Sequence, residues 1–147
     1  MIPEEAATSS AAPSSSADRD GIVTYHDSCR ARNGQGICEG PRKTVRACAG
    51  EGYRELPGAD VCCGGAGAFA FVHPELSDEL LRKKTGHIAS THARRVVTSS
   101  TSCLIQLAHG LKKYYPECEV VHLSEYLAEK IPPGAVRKTT DGQTARA

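Results

Sequence analysis

The alternation of short β-prone runs with helical segments is the sequence feature that most constrains this fold. Four runs rich in β-branched and aromatic residues recur along the chain, and a helical segment follows each of them. The runs are predicted at residues 22–25, 53–56, 95–98 and 119–123. Such alternation is typical of a parallel sheet covered by helices on both faces. The expected fold class is α/β, a single small domain with a short parallel sheet flanked by helices.

The helices are predicted from periodicity and from their ends. Residues 40–49 suit a helix with Pro41 at its first position. The clearest helix opens at Pro74, and its apolar residues fall on one face: Leu76, Leu80, Leu81 and Ile88. The basic residues beside them, 82–84, are expected on a solvated face. A further helix spans 104–115, and the hydroxyl of Ser124 is expected to cap a last short helix.

The two ends of the chain differ in composition from the middle. Residues 1–19 are rich in Ala, Ser and Pro, and residues 132–147 begin with Pro-Pro-Gly. Neither end has enough apolar surface to offset the entropy of ordering, so both are predicted to be disordered tails. The ordered domain is therefore expected at residues 20–131.

Composition excludes several classes of function. The net charge of +1 gives no strong attraction to nucleic acid, so no nucleic-acid partner is expected. No apolar stretch approaches the ~20 residues that span a bilayer, and the basic start and apolar block of a secretory signal are absent. We expect a cytoplasmic protein with no transmembrane segment.

Four of the seven cysteines follow predicted strands. Cys29 comes just after the first strand, Cys62 and Cys63 after the second, and Cys103 after the third. Because the carboxyl ends of parallel strands meet at one edge of a sheet, these side chains are expected to converge there. An odd number of cysteines without an export signal favours metal or redox chemistry over a disulfide framework.

A glycine-rich run follows the adjacent cysteine pair and suits a bound cluster. On a regular strand Cys62 and Cys63 would point to opposite faces, so the chain must turn there to bring both to one site. Gly64, Gly65 and Gly67 allow that turn, close approach of the backbone and positive φ angles. Their N–H groups can donate to thiolates, and an iron–sulfur cluster usually takes four thiolates. The four cysteines are therefore predicted metal ligands, and the glycines are predicted to shape the loop around the cofactor.

Other interpretations of the four cysteines stay open at this point. They could hold zinc, lie unrelated in the core, or form a redox disulfide. Zinc sites usually show closely spaced cysteine pairs of the Cys-x2-4-Cys type, and none is present. A nucleophilic Cys29 beside His26 is less favoured, because a phosphatase loop would need arginine where Gln35 stands.

Several single residues have simpler interpretations. A lone cysteine is most often a small buried apolar residue, which is the interpretation given to Cys38, Cys48 and Cys118. His26 is interpreted as a strand-end residue with an ordinary hydrogen bond.

The order and spacing of the motifs resemble a known family, the cysteine-rich CCG domain. Thirty-two residues separate Cys29 from Cys62, and 39 separate Cys63 from Cys103. The resemblance covers about residues 21–130 and is carried by the segments 25–29, 59–67, 73–76 and 102–104. That domain occurs in heterodisulfide reductases and in iron–sulfur subunits of glycolate oxidase, of lactate utilisation and of anaerobic glycerol-3-phosphate dehydrogenase. The segment 121–125 looks closest to the glycolate and lactate oxidase type.

The resemblance implies a function in electron transfer. It implies a [4Fe–4S] cluster, cubane or noncubane, in a non-flavin component of an oxidoreductase complex. Electrons would pass from a flavoprotein that oxidises a 2-hydroxy acid, of glycolate or lactate type, to a quinone or other acceptor. Flavoprotein and ferredoxin-type subunits are the expected partners, and any membrane contact is expected to go through them. The alternatives are a zinc-binding structural or interaction domain and a thiol–disulfide reductase like heterodisulfide reductase.

The sequence departs from the family pattern in three respects. The heterodisulfide reductase pattern ends in Cys-x-x-Cys, and Ser100 stands where the first of those cysteines would be. Members usually carry two such domains, whereas this chain has one. Many also carry an N-terminal ferredoxin domain, and nothing similar is found in this sequence.

Overall fold

The structure is a computed structural model that describes residues 21–132, with a three-stranded parallel sheet at its centre. The strands are β1 (Val23–His26), β2 (Arg95–Thr98) and β3 (Glu119–His122), and they lie side by side in that order. Six α-helices accompany them within these residues: α1 (Cys29–Gln35), α2 (Glu39–Ala49), α3 (Phe69–Val72), α4 (Pro74–Ser90), α5 (Thr101–Tyr114) and α6 (Leu123–Lys130). The predicted α/β fold with a parallel sheet is confirmed.

Two further sequence predictions concern the ends of the chain and the absence of a membrane-spanning segment. The tails predicted at 1–19 and 132–147 lie outside the described residues, apart from residue 132. Between residues 21 and 132, none of the helices has both the length and the apolar character that crossing a bilayer requires.

Alternate strand residues pack against helices on opposite faces of the sheet. One core lies between the sheet and helices α2 and α6, and its buried members are Val23, Tyr25, Val45, Tyr53, Val97, Val121 and Tyr126. The other lies against α4 and α5, and its strand member is Val96. Two sequence-predicted site residues, Cys63 and Cys103, belong to this second core. Burial of each large apolar side chain contributes roughly 1.5–3 kcal/mol, so both helical layers are needed.

Helices α4 and α5 approach each other closely where α5 carries a glycine. A Cβ atom on Gly110 would overlap the side chain of Leu81, at a separation closer than real side chains pack. The buried face of α5 consists of Cys103, Leu107, Gly110 and Leu111. Because these positions recur at helical spacing, the packing that buries Leu107 also turns Cys103 inward.

The strand predicted at 53–56 is not formed, and this corrects the sequence interpretation. Only Tyr53 pairs with the sheet, through a single parallel bridge to Val23. The chain then leaves the sheet, because Pro57 has no N–H to donate and Gly58 turns the backbone with φ of 62°. Cys62 and Cys63 therefore follow a turn and not the end of a strand.

The helix predictions need smaller corrections. Helix α2 begins at Glu39, so Pro41 is its third residue. The cap of α6 is His122, whose Nδ1 accepts from the N–H of Ser124, so the prediction of Ser124 as cap was wrong. On α4, Leu81 is buried but Leu76 is 49% exposed.

Helix α1 was missed because it buries no residue completely and so shows no apolar periodicity. Its ends carry the signals instead. Ser28 accepts from the N–H of Ala31 at the start, and Gly36 adopts a left-handed conformation at the end.

A buried carboxylate joins the end of β1 to its neighbours. Asp27 is 2% exposed, and its Oδ2 lies 2.5 Å from Nη2 of Arg42 on α2 and 3.7 Å from Nη1 of Arg32 on α1. Its backbone N–H donates to the carbonyl of Ala59, at 3.1 Å. These contacts hold α1, α2 and the turn before Cys62 against the carboxyl end of β1.

Replacing Asp27 by asparagine is expected to lower the free energy of unfolding by about 2 kcal/mol. The change removes the buried charge partner of Arg42, whose side chain is only 20% exposed, and leaves the half-exposed carboxylate of Glu55, at 3.2 Å, as its remaining anion. Urea unfolding followed by circular dichroism measures the loss. The matched control is Glu79→Gln, which breaks a half-exposed ion pair with Lys83 and is expected to cost under about 0.5 kcal/mol. Equal losses in the two variants would contradict the prediction.

Candidate metal centre

The four cysteines predicted as ligands line one cavity at the carboxyl edge of the sheet. Cys29 is the first residue of α1, Cys103 lies in the first turn of α5, and Cys62 and Cys63 lie in the loop that precedes α3. The cavity has a volume of about 350 Å³, and the structure thus brings together residues that are far apart in sequence. Its other lining residues are Arg30, Gly65, Ala66, Gly67 and Ser102.

The four thiols differ in depth and contact one another in series. Cys63 and Cys103 are buried, whereas Cys29 and Cys62 are partly exposed, and all four are free thiols. Cys29 interacts with Cys62, Cys62 with Cys63, and Cys63 with Cys103. The sulfurs therefore form a continuous group with two deep and two shallow members.

Hydrogen bonding divides the protons unequally among these thiols. Donation from the Cys63 thiol holds the pKa of Cys62 below its ordinary value, and the N–H of Gly64, 3.3 Å from its Sγ, acts in the same direction. The Cys63 thiol likewise lowers the pKa of Cys103, and the presence of these two neighbours, Cys103 first, favours retention of its single proton and raises the pKa of Cys63 itself. Burial, with repulsion from Cys62 next, raises the pKa of Cys29. Thiolates are thus favoured at Cys62 and Cys103, and the thiolate is the form that binds metal.

His26 is a member of this site that sequence reasoning missed. It is the last residue of β1 and is 1% exposed. A nitrogen of its ring and the sulfurs of Cys63 and Cys103 all lie within 4.8 Å of one another. Its ring also helps to lower the pKa of the Cys103 thiol. Its position three residues before Cys29, at the carboxyl end of a strand, was the available signal.

The glycine loop is held from behind by two polar side chains. Ser77 of α4 donates its hydroxyl to the carbonyl of Gly64, and Gln106 of α5 donates to Ser77 Oγ at 3.0 Å and to the carbonyl of Cys63 at 3.4 Å. Gly64 has φ of 86°, and a Cβ there would lie 2.7 Å from the carbonyl oxygen of Ser77. At Gly65 a Cβ would lie 2.7 Å from Cβ of Gln106. The tight fit of this loop against α4 and α5 therefore requires glycine at both positions.

Gly67 differs from its neighbours, since only its backbone conformation calls for glycine. Its φ is 52°, and a Cβ there would meet nothing within 4 Å. It lines the cavity together with Gly65, whereas Gly64 is not a lining residue.

The remaining cysteines lie away from the cavity. Cys118 is buried in the core beside α4 and α5, as expected for a small apolar residue. Cys48 packs against the other core and is only partly buried, as is Cys38, which precedes α2.

The basic run 82–84 is not uniformly solvated, which corrects a further prediction. Arg82 and Lys83 are exposed, but Lys84 is buried and its Nζ donates to the carbonyl of Gly58. Neighbouring basic residues gave no signal that one of them faces the core.

Converging thiols on the edge of a parallel sheet define a cysteine-rich α/β domain. The profile of the CCG family, described as a cysteine-rich domain, matches residues 23–108. The chain belongs to that family.

The chain is also similar to longer proteins. It is 33% identical over 107 residues to lactate utilization protein A of Oceanobacillus iheyensis, and the match covers 73% of this chain and 44% of that protein. It is 34% identical over 110 residues to the probable glycolate oxidase iron-sulfur subunit of Bacillus subtilis, 74% of this chain and 25% of that protein. Lactate utilization protein A of Lysinibacillus sphaericus is 32% identical over 108 residues, and the match covers 74% of this chain and 47% of that protein. The matched segment is less than half the length of each of these relatives.

Replacing Gly64 by alanine is expected to lower the free energy of unfolding by about 3 kcal/mol, because the new Cβ meets the carbonyl of Ser77 and the φ is strained for alanine. The matched control, Gly67→Ala, has the strain without the clash and is expected to cost about 1 kcal/mol. Denaturant unfolding of both variants measures the difference. A loss at Gly67 as large as that at Gly64 would show that α4 does not press on the loop.

Proposed function

We propose that Cys29, Cys62, Cys63 and Cys103 hold an iron–sulfur cluster and that the chain is an electron-transfer component of an oxidoreductase complex. The observation that carries this proposal is the single cavity that the four thiols line. When bound, the cluster supplies one-electron transfer, which no amino-acid side chain in the site offers.

The residues present fit such a cofactor. Four sulfur donors are the usual ligand set of a [4Fe–4S] cluster. Backbone N–H groups of Gly64 and Gly65 already point at the sulfurs of Cys62 and Cys63, and such donors tune a cluster's potential. The absence of a side chain at Gly65 lets the loop pack directly on α5 while its backbone lines the cavity.

A fifth thiolate is replaced by a hydroxyl in this chain. Ser100 precedes α5, its Oγ lies 3.0 Å from Oγ of Ser102, and it helps to lower the pKa of Cys103. Ser100 therefore stands beside a proposed ligand, where it supports that thiolate. This arrangement favours a four-thiolate cluster of cubane type over a noncubane one.

The place of the chain in a redox system is proposed from its relatives. They are named for lactate utilization and as a glycolate oxidase iron-sulfur subunit. We infer that this chain passes electrons from a flavoprotein that oxidises a 2-hydroxy acid to a quinone or other acceptor. A ferredoxin-type subunit is the expected neighbour in that path.

One observation favours a second candidate, a structural zinc site. His26 adds an imidazole nitrogen beside two deep thiols, and mixed His and Cys donors are a common zinc ligand set. The chain would then be a metal-stabilised interaction domain without redox activity.

Metal analysis of the anaerobically reconstituted chain separates these functions. The expected result is about four iron and four acid-labile sulfide per chain, with an EPR signal on reduction. Cys63→Ser is expected to lose most of the iron, because it removes a buried ligand. The matched control, Cys48→Ser, changes a cysteine outside the cavity and is expected to keep it. About one zinc per chain, with no iron or sulfide after reconstitution, would overturn the cluster proposal.

A further inference from the structure

Lys84 is a buried cation in the middle of α4. It is 1% exposed, whereas the side chain of its neighbour Lys83 is 63% exposed and pairs with Glu79 at the surface. Burying an ammonium group costs free energy unless opposite charge and hydrogen bonds compensate it.

The protein gives this ammonium little compensation. Its Nζ donates to the carbonyl of Gly58, which uses one of its three N–H donors. In the part of the chain that the structure describes, no carboxylate lies within ion-pair distance of it. Asp27, the carboxylate that acts on it most, is already paired with Arg42.

The thiols of the proposed site supply the opposite charge that Lys84 experiences. Burial is the first cause that moves its pKa, lowering it to about 8, and the negative charge of the hydrogen-bonded pair Cys63 and Cys62 opposes that effect most strongly. Asp27 and Cys103 follow with smaller contributions.

The geometry agrees, because Lys84 shares the buried face of α4 with Ser77, which holds the carbonyl of Gly64. Its Nζ donates to the carbonyl of Gly58, four residues before Cys62. The buried ammonium therefore lies behind the loop that carries the adjacent cysteines.

We propose that Lys84 is a built-in counter-charge for the anionic cofactor of this site, and that it raises the cofactor's reduction potential. This inference rests on the proposed function. Thiolate ligands carry more negative charge than an iron–sulfur core carries positive, so the complete site is anionic. Reduction by one electron, delivered by a reduced flavin donor, adds further negative charge. A buried cation nearby stabilises the reduced form more than the oxidised form.

The test uses the full chain, reconstituted anaerobically with iron and sulfide. Lys84→Met removes the charge and keeps the apolar stem, and Lys84→Gln removes the charge while keeping an N–H donor. Lys83→Gln is the matched control, since it removes an exposed and solvent-screened charge one residue away. EPR-monitored redox titration is expected to give a more negative midpoint potential in both Lys84 variants and an unchanged one in Lys83→Gln.

Thermal unfolding of the metal-free proteins gives a second readout. If Lys84 serves the cofactor, apo Lys84→Met is expected to unfold at or above the wild-type temperature, because it no longer buries an unpaired charge. Loss of iron from the Lys84 variants with apo stability intact would also support the proposal, because it would show that the charge of Lys84 is needed to retain the anionic cofactor. A merely structural lysine would lower the apo unfolding temperature and leave the midpoint unchanged.

The outcomes separate this inference from the function on which it rests. Full iron occupancy in every variant, with the same midpoint potential in all of them, overturns the counter-charge proposal and leaves the cluster proposal standing. Failure of apo Lys84→Met to fold also overturns it, since the lysine would then stabilise the fold itself. Absence of iron from the wild-type chain overturns both.

Discussion

The buried carboxylate of Asp27 is the contact on which the arrangement of this site most depends. It pairs with Arg42 and lies near Arg32, while its backbone N–H holds the carbonyl of Ala59. One residue thus ties together α1, which carries Cys29, and the turn that leads to the adjacent cysteines. The turn has no strand of its own to position it, so its place at the carboxyl end of β1 comes from these polar contacts. A charge buried for this purpose is costly, and its arginine partners are what make it tolerable.

The second half of the site is positioned by apolar packing. The close approach of α4 and α5 at Gly110 sets the distance between Ser77 and Gln106, which together hold the glycine loop from behind. The same packing buries Cys103 on the core face of α5. The site therefore joins a polar half, built around the end of β1, to an apolar half, built around two helices.

Much of this could be predicted from the sequence, and the failures have physical causes. The bounds of β2 and the convergence of Cys29 and Cys103 followed from β-branched runs and from the shared edge of parallel strands. Cys62 and Cys63 reach the same cavity from a turn, so for them the reasoning gave the right place for the wrong reason. The same reasoning failed at residues 53–56. The segment has the composition of a strand, but only Tyr53 pairs with the sheet. His26 and Lys84 were missed since burial of a polar side chain depends on tertiary neighbours, which local patterns do not reveal.

Because the four sulfurs lie at unequal depths, only one side of the site is accessible from the solvent. Cys63 and Cys103 are sealed in the core, whereas Cys29 and Cys62 form a rim that water reaches. If the proposed cluster is bound, a redox partner would dock over α1 and the loop beside it to bring its own cofactor within tunnelling range. Oxidants would also reach this rim first, so damage to such a cluster would begin at Cys29 and Cys62. Electron exchange and oxygen sensitivity would then share one face of the molecule, and a bound partner would protect the surface it uses.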